Sequence, residues 1–227
     1  MPTIGWVLLG LAAVAALANW WAVDTPVPTP VTPDGAGSPQ LSQRVEYVAK
    51  PATMVLLIAV AVMLDPADGG SRAWFVLGLL LCLAGDVLLM LPSDRFLHGL
   101  AAFLAGHVAY IVGFWARGVQ LWALLLGVLV VAVTVAVVAR PIVEAVQRDE
   151  DPELVGPVLA YIGVISAMVV LAIGTTVAIA IMGGLLFYAS DALLAWNRFV
   201  RPLPHGRLLV MITYHLAQAA LVLSLAG

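Results

Sequence analysis

Two aspartates stand where carboxylates are expensive. Asp86 lies inside LLLCLAGDVLLMLP over 79–92, and Asp191 inside LLFYASDALLAW over 185–196. A charge at the centre of a bilayer costs about 2.5–3.5 kcal/mol on insertion scales. Two acids in apolar runs are better explained by one shared polar cavity than by two separate lipid-facing defects. Carboxylates held close repel, and a proton retained by one relieves the repulsion. A cation such as Lys50 beside the other holds that one ionised. The result is a general acid next to a general base, the arrangement that hydrolyses acetal-like ethers in glycosidases. The competing reading is structural: Lys50 neutralises one aspartate and locks a helix bundle, although buried ion pairs are weak stabilisers.

The elements that must position these groups are membrane helices. Of 227 residues, 63% are hydrophobic and only 10% charged, and the mean hydropathy is +1.07. Soluble domains carry about 25% charged residues, so the solvent of this chain is lipid. About 20 apolar residues span a bilayer. The apolar runs predict eight spans near 4–22, 46–64, 73–91, 95–115, 119–139, 155–173, 176–197 and 206–226. The expected fold is all-α, a polytopic bundle forming a single transmembrane domain over 1–227. A Pro/Gly-rich loop is expected over 24–45, extended and mobile in its DTPVPTPVTPDGAGSPQ stretch. A charged cytoplasmic loop is expected over 140–154, beginning as a short interfacial helix end and closing in an acidic turn. Gly174, Thr175 and Thr176 are the expected turn between spans six and seven. The first apolar run has no Lys or Arg before it, which favours a retained helix over a signal peptide.

With eight spans, both termini share one side. Eight of the ten Lys and Arg residues hold or border the loops on the other side, and only Arg72 and Arg117 lie with the termini. The positive-inside rule then places the charged loops in the cytoplasm and both termini outside, in a bacterial-type inner membrane. On this map Asp86 and Asp191 lie about 9–10 Å from the cytoplasmic ends of spans three and seven. Lys50 falls in the first turns of span two. Tyr161, Tyr214 and His215 lie about two turns into spans six and eight. These six polar groups share the inner-leaflet layer. His107 is expected deeper, as a hydrogen-bonded packing residue. Asn197 and Arg198 close span seven near the headgroups, where Arg198, Arg201 and Arg207 can meet a lipid phosphate. No two of the four histidines have the i, i+4 spacing of a helical metal clasp, and Cys82 is the one cysteine. No metal and no cofactor is expected. The net charge of −3 and the absence of basic clusters argue against nucleic acid and leave membrane lipids as partners.

A series of motifs adds to this reading. Lys50-Pro51 opens a helix, and Gly85-Asp86 precedes Leu91-Pro92. FLHGLAAFLAGHVAY follows at 96–110, then GGLLFYASDALLAWNRF at 183–199 and ITYHLAQ at 212–218. In order and spacing the series resembles the YhhN family of membrane proteins, whose animal members are lysoplasmalogenases. The resemblance covers about residues 45–225. It implies an eight-helix membrane hydrolase that cleaves the vinyl ether of a lysophospholipid, the lysoplasmalogen, to a fatty aldehyde and a glycerophospho-base. It implies no metal, and it places the family's polar positions on Lys50, Asp86, Asp191 and Tyr214. Vinyl ethers hydrolyse by protonation of the β-carbon, and water captures the resulting oxocarbenium ion. Asp191 is the expected acid and Asp86 the stabiliser and base, with the roles open to exchange. Lys50 tunes Asp86 or binds phosphate. The substrate-binding candidates are Lys50, Tyr161, Tyr214, His215, Asn197 and Arg198. The leading alternative is a proton-coupled small-molecule or lipid transporter, since paired intramembrane acids also relay protons. No inverted repeat is visible, however, and the polar groups crowd one leaflet rather than the midplane. A metal-dependent lipid amidase resembling alkaline ceramidases, and a structural or partner-binding membrane protein, are further alternatives. The residues leave headgroup, chain length and oligomeric state open.

Overall fold

The computed structural model describes residues 1, 3–25, 41–64, 70–93, 95–148 and 152–226. Among them the chain is helix joined by short turns, with no strand. The helices are α1 (Thr3–Asp24), α2 (Leu41–Met63), α3 (Ser71–Met90), α4 (Phe96–Ala116), α5 (Leu121–Thr134), α6 (Arg140–Gln147), α7 (Val155–Gly174), α8 (Ala178–Ala195) and α9 (Gly206–Leu223). A π turn at Val135–Ala139 fuses α5 and α6 into one rod, and a second at Trp196–Val200 extends α8. Eight rods are long and apolar enough to cross a membrane. Apolar surroundings force this choice, because a backbone without water must satisfy its N–H and C=O groups within the helix.

The rods pack as antiparallel pairs, α1 on α2, α3 on α4 and α8 on α9, with α7 touching α4, α5 and α8. Small residues set the closest approach. A Cβ on Gly106 of α4 would lie 2.9 Å from Cys82 Sγ and 3.2 Å from the Gly78 carbonyl oxygen, so α3 and α4 meet nearly backbone to backbone. Between the pairs lies a core of Met54, Phe75, Tyr110, Met168, Phe187 and Leu221. By contrast, α5 buries only Ala123 and Gly127 and turns Trp122, Leu125 and Leu129 outward, as a lipid-facing helix does.

Three expectations change. First, α2 starts at Leu41, so 41–45 are helical and Pro51 lies inside the helix rather than opening it. Membrane helices tolerate such a proline because neighbouring groups re-satisfy the freed carbonyl. Second, Lys50 therefore sits about 13 Å along α2 instead of in its first turns. Third, the fifth span does not stop before Arg140 but runs to Gln147. There Glu144 pairs with Arg140 at 2.9 Å and Arg148 at 3.7 Å on the outer face. Ile142 and Val146 bury against Leu154 and Val158 on the inner face. The expected short interfacial helix end is present as α6, and it continues the fifth span rather than opening a loop at Arg140. The turn after Gly174 is present, with Thr176 at φ 59°. The proline-rich stretch over 26–40 and the acidic residues 149–151 lie outside the described residues.

Candidate active site

Asp86 comes from the last turns of α3, and its side chain is 1% exposed. Lys50 Nζ of α2 lies 3.0 Å from Oδ1. The Tyr214 hydroxyl of α9 donates to Oδ2 at 2.6 Å. Both carboxylate oxygens are thus engaged, one by a cation and one by a neutral donor. The Tyr214 ring is held edge-on by Phe103 at 5.9 Å and Phe187 at 5.5 Å. Phe103 itself lies against Gly85, where a Cβ would come within 2.6 Å of its ring. The glycine before Asp86 makes room for the aromatic that braces Asp86's own partner.

Asp191 of α8 is 12% exposed. The Tyr161 hydroxyl of α7 donates to its Oδ2 at 2.7 Å. His107 Nε2 of α4 stands 3.6 Å from the same oxygen. The His107 ring is fully buried, packed edge-on against Phe187 at 4.6 Å and Tyr161 at 5.3 Å.

The two aspartates line one two-armed cavity. The polar arm, about 790 Å³ of empty space with its open mouth, is lined by Lys50, Asp86, Tyr214 and Asp191. It opens past Glu46, Asn197 and Arg207, and Arg207 Nη2 donates to both Glu46 carboxylate oxygens at 2.7 and 2.8 Å. The apolar arm, about 680 Å³, runs between Phe96, Leu100, Ile162 and Phe199. Leu89, Phe103, Asp191 and Leu194 border both arms. Both π turns wall the apolar arm, one through Val138 and Ala139 and the other through Phe199. Single π turns in helices are frequent at functional sites. An amphiphile with its chain in the apolar arm and its head in the polar arm presents the bond between them to Asp191.

The expected residues therefore divide. Lys50, Asp86 and Tyr214 meet, as do Tyr161 and Asp191, and Asn197 lines the mouth while its Oδ1 accepts from the Leu203 N–H at 2.8 Å. His215 turns the other way. Its Nδ1 accepts from Trp20 Nε1 at 3.0 Å, and it lines a separate apolar crevice with Ala16, Thr53 and Leu57. Arg198 is exposed, with its guanidinium 4.7 Å above the Phe96 ring. Sequence reasoning passed over Glu46 and Phe187, and it took His107 for a hydrogen-bonded packing residue, whereas neither of its ring nitrogens has a hydrogen-bond partner. The signal for Glu46 was its i, i+4 spacing to Lys50, which puts both on one face of α2. Among the described residues no three His, Cys, Asp or Glu side chains gather as a metal site.

No solved structure matches the chain. It is 38% identical to lysoplasmalogenase TMEM86B of Sus scrofa over 174 residues, covering 75% of this chain and 72% of the relative. To lysoplasmalogenase TMEM86B of Homo sapiens it is 35% identical over 165 residues, 71% of this chain and 67% of the relative. The YhhN family model matches residues 45–225, from just before Lys50 to the end of α9, so every residue lining the two-armed cavity except Val23 falls within it. The chain belongs to the YhhN family.

Proposed function

We propose that this chain is a membrane-embedded lysoplasmalogenase. Its reaction is hydrolysis of the vinyl ether of a lysophospholipid to a fatty aldehyde and a glycerophospho-base. The observation that carries the reading is that Asp86 and Asp191 both line the polar arm, and that Asp191 also borders the apolar arm. The relatives named lysoplasmalogenases support it. The lipid's single chain occupies the apolar arm, and its glycerophospho group lies toward Arg207 and Asn197. The vinyl ether then lies beside Asp191.

Asp191 is the acid. Its carboxyl proton passes to the β-carbon of the vinyl ether, and the enol-ether double bond becomes an oxocarbenium ion. Asp86, held by Lys50 and Tyr214, is the carboxylate that stabilises this cation. Asp86 also orients a water and accepts its proton as the water oxygen bonds to the cationic carbon. The hemiacetal so formed gives its hydroxyl proton to the Asp191 carboxylate as its carbon–oxygen bond to glycerol breaks. The glycerol oxygen takes up the proton held by Asp86, and one water is consumed for one aldehyde and one alcohol released. The enzyme ends with the protons it began with.

We further place the mouth of the polar arm toward the cytoplasm and both termini outside, in a bacterial-type inner membrane. Eight of the ten basic residues lie on the mouth side, in accord with the positive-inside rule. Purified protein incubated in detergent with a 1-alkenyl lysophosphoethanolamine is expected to release fatty aldehyde. Absence of aldehyde, together with electrogenic solute uptake by reconstituted vesicles, would replace the hydrolase with a carrier.

A further inference from the structure

His107 is the buried group for which the reaction above has no use. Neither of its ring nitrogens has a hydrogen-bond partner. A neutral imidazole carries one N–H, and a buried unpaired donor is costly enough to require an explanation. Nε2 stands 3.6 Å from Asp191 Oδ2, just beyond hydrogen-bond length. Phe187 and Tyr161 hold the ring in place from two sides. Tyr161 already donates to that same Oδ2. Both protein groups therefore address one oxygen of Asp191, which leaves Oδ1 as the oxygen to carry the acid proton in this reading.

We infer that His107 is a positioning residue for the acid: it donates Nε2–H to Asp191 Oδ2 as Asp191 gives up its proton. The inference rests on the reading of Asp191 as the acid. Before reaction Oδ2 is a carbonyl oxygen, already served by Tyr161. As the Oδ1–H bond breaks and the new C–H bond forms, the electron pair of the broken bond stays on the carboxylate and spreads over both oxygens. Oδ2 gains charge at that moment, and a small closing movement completes the contact with His107. Nε2 carries the hydrogen, because a lone pair there would face the lone pairs of Oδ2. A contact that strengthens only at the transition state raises kcat and leaves substrate binding unchanged.

The test compares His107→Phe, which fills the space without a donor, with His107→Gln, whose amide N–H can reach Oδ2, and His107→Asn, whose amide falls short. Aldehyde release from a 1-alkenyl lysophosphoethanolamine gives kcat and KM. Binding of the saturated 1-alkyl analogue, which cannot be hydrolysed, reports an intact cavity. His107→Phe and His107→Asn are expected to lower kcat by about 10- to 100-fold, the range of a hydrogen bond to a charged group. KM and analogue affinity stay within about twofold, and His107→Gln recovers most of the rate. Adding His107→Phe to Asp191→Asn costs nothing more. Should His107→Phe fail to fold, the Gln and Asn variants carry the comparison. An unchanged kcat, parallel losses of kcat and analogue binding, or no advantage of Gln over Asn would each overturn the inference and leave Asp191 as the acid. Full activity in Asp191→Asn would overturn both.

Discussion

The two aspartates are the same residue in two different settings. Asp86 is sealed, and its oxygens meet an ammonium at 3.0 Å and a phenol at 2.6 Å. Asp191 borders both arms of the cavity, and its near neighbours are a phenol and an imidazole without an ammonium. A carboxylate clasped by a cation is suited to enter a reaction ionised and to face a developing positive charge. A carboxyl with neutral donors, facing the substrate space, is suited to give up a proton. On the reaction proposed, one cavity runs acid and base chemistry because the partners differ, not the residues.

The sharpest way to break this contrast is to neutralise each aspartate. Asp191→Asn and Asp86→Asn are each expected to lower aldehyde release by about 10²–10⁴-fold, the usual weight of a general acid or base. A near-normal rate in either one removes that residue from the reaction. Lys50→Met separates the halves through stability. It strands the Asp86 carboxylate in the bundle, and breaking a buried pair in this way costs about 3–5 kcal/mol. Thermal unfolding in detergent is expected to fall sharply for Lys50→Met and to recover in Lys50→Met with Asp86→Asn. Equal melting of the single and double variants would show that the ion pair is not what Lys50 is for. The phenols come next. Tyr214→Phe and Tyr161→Phe each delete one hydrogen bond to a carboxyl, for a kcat loss on the order of tenfold. The mouth is expected to matter least. The Glu46–Arg207 pair is exposed on its arginine side, and such pairs contribute about 0–1 kcal/mol. Arg207→Glu is expected to raise KM several-fold with kcat held. A collapse of kcat there would move the chemistry toward the mouth.

Much of the site was legible because depth is legible. Counting turns from each helix end placed Lys50, Asp86, Tyr161, Asp191 and Tyr214 near one level, and the helices bring all five to the cavity. Azimuth was harder. Tyr214 and His215 share a depth, but consecutive residues point about 100° apart, so both cannot face one cavity. Tyr214 faces Asp86 and His215 faces α1. That much was available from spacing alone, but which of the two turned inward required the neighbours of α9. His107 failed in the other direction. Its position along α4 suggested a place apart from the acids, yet its Nε2 stands 3.6 Å from Asp191 Oδ2. The fold was legible wherever hydropathy decided it. Its bounds were misread after Arg140, where the expected helix end prolongs span five to Gln147, and at Pro51, where a helix breaker sits inside α2.

The forked shape of the cavity governs departure as well as arrival. On the reaction proposed, one product is water-loving and the other is a greasy carbonyl compound. The first retreats through the charged mouth, while the second already lies among the apolar side chains of Phe96, Ile162 and Phe199. Each fragment is thus released toward the phase that dissolves it, so that cleavage itself drives the products apart.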